Sequence, residues 1–312
     1  MIDAFAGLMP VVLVILLGAF IRRLNLLDEA GWRGVDQLGY YVLFPAIIIK
    51  SLAITDFGTL PAGALALVLF CAVTAMSALV VLMYPLLTGP LNISGPSFTS
   101  IYQGATRWTG FVALALASSF YGPEGVALIA VAFAVLIPVV NMASVYVLSR
   151  YAGGTKPTAR ALLTEVLKNP FIGSCVAGGL FNLLLTSTGF ELPGVLAAAL
   201  AMVGQAALAL ALISVGAGLR LSDLRRPSVA LLLATFLRLL VMPLFGAIFA
   251  TFIPLEGHAM GVAIIALSVP SATVGYVLAR RMGGDAPLLA AILTLQTLLA
   301  PLTLPLAMWL YV

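Results

Sequence analysis

Tyr102-Gln-Gly-Ala-Thr-Arg-Trp-Thr-Gly-Phe111 lies between long apolar runs, and it places Arg107 where the middle of a hydrophobic helix is expected. A charged side chain at the centre of a bilayer-crossing helix costs at least ~2.5 kcal/mol on insertion scales, so such residues face a cavity or a partner. What this stretch means therefore depends on what surrounds it.

The surroundings are those of a membrane protein. Of 312 residues, 62% are hydrophobic and 8% charged, and the mean hydropathy is +1.18; soluble domains carry about 25% charged residues. Apolar runs of about 17 to 25 residues, enough to cross ~30 Å of hydrocarbon, recur along the chain and leave little for a soluble domain. Met1-Ile-Asp-Ala-Phe5 lacks the basic region of a signal peptide, so the first run is read as a retained span. Cys71 and Cys175 fall inside apolar runs without zinc or redox spacing and read as packing residues. Neither a metal site, a cofactor nor a nucleic-acid partner is expected.

Ten spans are predicted, at 4–21, 37–54, 62–87, 98–121, 125–148, 167–185, 195–219, 228–253, 259–280 and 286–311. Their connections sort by charge. Arg22, Arg23 and Arg33 follow span 1; Arg150, Lys156, Arg160 and Lys168 follow span 5; Arg220, Arg225 and Arg226 follow span 7; Arg280 and Arg281 follow span 9. Asp56, Glu124, Glu191 and Glu256 occupy other connections, with His258 beside the last and Asp3 ahead of span 1. By the positive-inside rule the basic loops face the cytoplasm, and both termini lie outside the cell (inner) membrane. His258, the single histidine, then reads as a solvated outer-loop residue.

The order of features around Arg107 occurs twice. Arg107-Trp-Thr-Gly-Phe111 leads to Gly122-Pro-Glu124, and Ser268-Val-Pro-Ser-Ala272 leads to Gly283-Gly-Asp285. Each is a mid-span breaker, then a half-helix, a glycine-rich acidic turn and another apolar span. A repeat of five spans, being odd, must reappear upside down. The expected organisation is thus a first five-helix repeat at 1–150, a basic linker at 151–168 and an inverted second repeat at 169–312.

Breaking a helix inside a bilayer frees backbone groups at a cost of several kcal/mol each unless protein or an aqueous cavity covers them. At the second break Pro270 suits the first position of a new half-helix, with Ser268, Ser271 and Thr273 as capping hydroxyls. At the first, Thr109 is the expected cap and Gly110 supplies unusual dihedrals. Two half-helix N-termini facing the midplane, each carrying roughly +0.5 charge, make an anion site, to which Arg107 adds a full charge. Capping of the broken helix's own carbonyls, or snorkelling, is the structural alternative for Arg107. Arg238 has two readings, a partner for a backbone carbonyl or a residue of the cytoplasmic route; Lys50 reads as snorkelling outward. Gln103, Asn141, Gln205, Gln296 and Thr297 are neutral polar groups of the kind that join helices, and Asn141 and Gln296-Thr297 are the best ligand candidates among them. No Asp or Glu falls in a span core, with Asp36 and Asp285 expected at helix ends. Coupling would then use the substrate's carboxyl, a peripheral acid, or sodium held by carbonyls and hydroxyls, unless transport is passive.

These residues resemble the auxin efflux carrier family. The likeness runs through Leu43-Phe-Pro-Ala46, Gln103 to Phe111, Leu167-Lys-Asn-Pro170, Ser214-Val-Gly-Ala-Gly-Leu219, Pro270-Ser-Ala272, Tyr276-Val-Leu-Ala-Arg280, Gly283-Gly-Asp285 and Thr294-Leu-Gln-Thr297. The resemblance implies an all-α membrane protein of ten transmembrane helices in two inverted repeats, like the bile-acid/sodium symporter fold, with broken helices 4 and 9 crossing. It further implies a scaffold of helices 1, 2, 6 and 7, an elevator-like moving domain, carboxylate substrates such as malonate, malate or auxin, and homodimers. The crossover carried over by position is Arg107, Trp108, Thr109 and Gly110 with Val269, Pro270 and Ser271. Trp108 stands where the family often has Asn, which implies a bulkier or aromatic-lined pocket, and span 7 lacks the Pro common near Ala209. The leading function is a secondary active transporter of a small organic anion. A sodium-coupled bile-acid-type symporter and an anion channel are the alternatives. An intramembrane enzyme lacks its parts, for the chain has neither HExxH nor GxSxG.

Overall fold

The computed structural model describes residues 2–58, 60–153, 158, 164, 168–190, 192–219, 224, 228–255 and 257–312, with side chains from Met9 onward. Every regular element among these residues is helical. Seven helical stretches, at 29–53, 62–82, 95–151, 170–188, 194–217, 229–252 and 286–311, are long and apolar enough to cross a membrane, and 257–268 is a shorter apolar helix. This is a multi-pass membrane protein.

The chain opens with α1 (Ile2–Arg23) and α2 (Glu29–Leu38), which runs through a π-helical turn (Gly39–Leu43) into α3 (Phe44–Ala53). Pro45 accounts for that turn. It has no N–H to give and its ring crowds the carbonyl four residues back, so the helix widens by one residue and Phe44 N–H bonds Gly39 O instead. Asp28 caps α2, accepting from Gly31 N–H at 2.7 Å. Because α2 is continuous with α3, Asp36 lies inside a helix and not at its end, which corrects the sequence expectation. The polar faces of Glu29, Arg33 and Asp36 hid the first two turns, while Trp32 turns inward and is buried.

Next come α4 (Ala62–Leu82), the short α5 (Tyr84–Thr88), α6 (Gly95–Thr106) and α7 (Gly110–Tyr151). Gly122, at φ 57 and ψ −141, divides α7 into two helices. That conformation is open to glycine and closed to most side chains, so the expected boundary between spans 4 and 5 falls there. After 153 the chain is followed through α8 (Pro170–Thr188), α9 (Gly194–Ala217) and α10 (Val229–Phe236). A second π-helical turn (Leu237–Val241), again just ahead of a proline, Pro243, leads into α11 (Met242–Phe252). The last elements are α12 (Gly257–Ser268), α13 (Val274–Met282) and α14 (Ala286–Tyr311). Lys156, Arg160, Arg220, Arg225, Arg226, Glu191 and Glu256, used above to orient the spans, lie outside the described residues.

Helices α1 and α9 pack backbone to backbone. A Cβ on Gly18 would stand 2.0 Å from Ile213 O, and one on Gly216 would stand 1.8 Å from Ile15 O. Small residues that permit such approach are how helices associate in lipid, where no hydrophobic force draws them together. Buried faces of α4, α6, α7, α11, α12 and α14 form the core that holds the two breaks.

Candidate substrate site at the crossed helix breaks

Helix α6 ends at Thr106; Arg107 is extended (φ −71, ψ 157) and its N–H reaches back to Gln103 O. The helix resumes at Gly110, where a Cβ would lie 2.2 Å from the Phe133 ring. In the second break, Val269 N–H makes the last helical bond of α12, to Ile265 O at 3.1 Å. The chain is then non-helical until α13 begins at Val274.

The two breaks satisfy each other. Thr109 N–H donates to Pro270 O at 2.8 Å, and the Thr109 hydroxyl donates to Ser271 O. Ser271 Oγ donates to Gln103 O at 3.1 Å, while Ser271 N–H donates to Gln296 Oε1 at 2.9 Å. Gln296 Nε2 completes the clasp on Gly104 O at 2.9 Å. This corrects the expected capping. Neither Thr109 nor Thr273, the two N-cap residues, makes a side-chain cap bond. Pro270 precedes α13 by four residues instead of opening it, and Ser268 Oγ is buried without a hydrogen-bond partner. The hydroxyls of Thr109 and Ser271 go to carbonyls of the opposite break, since a break within hydrocarbon needs protein or a cavity to satisfy the carbonyls it frees.

A cavity of about 1040 Å³ runs from the breaks to a charged end lined by Arg22, Glu29, Arg33, Asp36 and Lys168. Arg107, Trp108, Thr109, Gly110, Asn141 and Ser271 line it, with Thr273 beside them. Val269, Pro270 and Gln296 do not line it; all three are buried behind it. Arg107 is 4% exposed. Its Nε donates to Gln103 Oε1 at 3.0 Å and its Nη1 to Asn141 Oδ1 at 3.1 Å. Those acceptors are neutral amides, so these two bonds aim the guanidinium without cancelling its charge.

Aromatic rings make up much of the remaining wall. Trp108 and Phe133 centroids are 5.2 Å apart, Phe133 and Phe171 4.8 Å, and Phe44 stacks on Phe111 at 4.3 Å. Trp108 thus extends an aromatic surface along the cavity. Phe133 and Phe171 were not singled out in the sequence, where a Phe in an apolar run looks like any core residue.

The second deep arginine plays a different part. Arg238, in the π-helical turn and 1% exposed, donates from Nε to Val269 O at 2.7 Å and from Nη2 to Ala266 O at 2.9 Å. Of its two sequence readings the carbonyl partner is the one realised, and it stands apart from the cavity lining.

Residues 3–308 match the family model described as membrane transport protein. The chain belongs to that family, the one of the auxin efflux carriers. A relative from Methanothermobacter thermautotrophicus, described as an uncharacterized transporter, is 24% identical over 298 residues, which cover 96% of this chain and 95% of the relative. Transport across a membrane is therefore the setting in which the cavity has to be read.

In this transporter one glycine is required by the arginine itself. A Cβ on Gly275 would lie 2.9 Å from Arg107 Cδ and 3.1 Å from Leu289 Cδ2. Gly275→Ala is expected to push the guanidinium off its two amides and raise the KM for substrate about fivefold, the equivalent of roughly 1 kcal/mol of overpacking. Uptake kinetics at matched protein levels would measure it, and an unchanged KM would show that Arg107 is not held by this contact.

Proposed function

We propose that this transporter is a secondary carrier of small organic carboxylate anions, working by alternating access of the crossed breaks to the two sides of the membrane. The observation that carries the reading is the convergence on one cavity of Arg107 and the N-termini of α7 and α13, neither of which has a side-chain cap. Helix N-termini and a guanidinium all favour negative charge, and a carboxylate has the planar pair of acceptors that a guanidinium fits. The aromatic wall suits a substrate whose body is apolar behind its carboxylate.

The fuller reading is ten spans in two inverted five-helix repeats, broken at span 4 (α6 with the first part of α7) and span 9 (α12 with α13). The correspondence of the two breaks and of their glycine turns supports it. Arg22, Arg33 and Lys168, which line the cavity's far end with Glu29 and Asp36, support a cytoplasmic mouth there under the positive-inside rule, which counts Lys and Arg. On this reading the cavity faces inward, both termini lie outside the cell (inner) membrane, and an elevator-type motion of the crossed breaks against a scaffold exposes them outward. The homodimer implied by the family resemblance belongs to the same proposal.

The test is solid-supported-membrane electrophysiology on proteoliposomes, with a panel of mono- and dicarboxylates and with sodium or proton gradients imposed or absent. Saturable, substrate-dependent currents are expected for a subset of the panel. Unitary currents in a planar bilayer would replace the carrier with a channel.

A further inference from the structure

Pro270 removes the N–H that would have served Ala266 O four residues back, and the chain leaves the helix before residue 273 can serve Val269 O. Both carbonyls belong to the C-terminal end of α12, the negative pole of that half-helix. Arg238 answers both, at 2.9 Å and 2.7 Å, and does so fully buried. The turn that holds it is not a regular α-helix: residues 237–241 are wound wide, with Met242 N–H bonded to Leu237 O.

A carrier that couples to a diffusible cation at a broken helix holds the ion with such groups, the carbonyls of unwound backbone and half-helix C-terminal ends. Here a guanidinium occupies that position. Four other carbonyls of the crossing are also served by the protein: Pro270 O by Thr109 N–H, Ser271 O by the Thr109 hydroxyl, Gln103 O by Ser271 Oγ and Gly104 O by Gln296; the buried Ser268 Oγ has no partner but is a single hydroxyl. The two arginines therefore divide the electrostatics. Arg107 follows the C-terminal end of α6 but carries its side chain to the start of α13, where a Cβ on Gly275 would touch it, and lines the cavity with the two helix N-termini, which favours an anion; Arg238 sits on a negative helix end and is compensated by it.

We propose that Arg238 is a tethered cation standing in for a coupling sodium at the crossed breaks, so that anion transport by this protein runs without sodium. The inference deepens the carrier reading of the same site and rests on it. Arg238 is a positioning residue: it stands off the cavity and acts through the 269–273 segment, which presents Ser271 and Thr273 to it.

The experiment compares wild type, Arg238→Gly and Arg238→Lys in sodium, choline and millimolar guanidinium chlorides at equal ionic strength. Melting of the purified proteins is read first, then carboxylate uptake by proteoliposomes. Wild type is expected to melt alike in sodium and choline, and its uptake to differ by less than about twofold between them. Arg238→Gly, left with a guanidinium-sized hole beside two bare carbonyls, is expected to gain several degrees of melting temperature and part of its uptake from free guanidinium, and Arg238→Lys to fall between the two. Sodium that raises wild-type melting or speeds wild-type uptake beyond that factor overturns the proposal. So does an Arg238→Gly protein indistinguishable from wild type in all three salts, or one gaining nothing from guanidinium. Should Arg238→Gly yield no folded protein, the wild-type sodium arm and Arg238→Lys decide. Absence of uptake for every carboxylate would count against the carrier reading, while the melting data test the tethered cation by themselves.

Discussion

Arg107→Ala is expected to lower carboxylate transport by about two orders of magnitude while the protein still inserts and folds. A hydrogen bond to a charged group contributes about 1.5–3 kcal/mol, which is roughly 10- to 150-fold in affinity, and a bidentate contact to a guanidinium that is itself 4% exposed belongs at the upper end. The cost to the fold is smaller. Among the groups Arg107 leaves behind are the oxygens of Gln103 and Asn141, and Asn141 lines the cavity, where water can replace the guanidinium. Arg107→Lys separates charge from shape: an ammonium keeps the positive potential but lacks the planar fork that spans both amides and a carboxylate. Intermediate transport is expected from it. Uptake by proteoliposomes, with size-exclusion profiles to report folding, makes the measurement. Wild-type kinetics in Arg107→Ala would mean that the arginine is structural and that the anion site lies elsewhere.

The two deep arginines show how far the sequence could be read. Composition and run length located nearly all the helices, because crossing hydrocarbon imposes length and apolarity on each one separately. The breaks were legible for the same reason: Pro270, Thr109 and Gly110 stand out wherever everything around them is apolar. What each polar group bonds to was not legible. Thr109 and Ser271 read as caps for their own helices, since local capping is the rule that neighbours in sequence reveal. Their actual partners lie 162 and 168 residues away. Arg238 could not be assigned between two roles because its acceptors, Ala266 O and Val269 O, are backbone groups with no residue type to betray them. Asp36 was misplaced for the opposite reason, a local polar pattern that masked a helix start at Asp28.

Gln296→Leu is expected to loosen the crossing itself. Leucine nearly conserves the volume, so the loss is one of hydrogen bonds at a side chain that is 0% exposed. Interhelical side-chain bonds in membrane proteins average only about 0.6 kcal/mol, because the separated helices find other partners. The groups stranded here are backbone, however. Ser271 N–H and Gly104 O sit at helix breaks, lose their bonds at 2.9 Å, and have no helical neighbour to turn to. An unsatisfied buried group costs about 1–3 kcal/mol, so two of them cost about 2–6 kcal/mol, far above the side-chain average. That corresponds to a melting temperature lower by on the order of 10 °C. Gln296→Glu should fall between the two proteins, because a protonated carboxyl can still accept from Ser271 and donate to Gly104 O. The kinetic signature separates a clasp from a ligand. Gln296 was a candidate substrate contact in the sequence, and a contact of that kind would raise KM and leave melting nearly unchanged. A clasp lowers the melting temperature and the turnover together and leaves KM largely intact, since under the proposed alternating access the two breaks travel as one body. Unchanged melting in Gln296→Leu together with a raised KM would return the residue to the substrate's contacts.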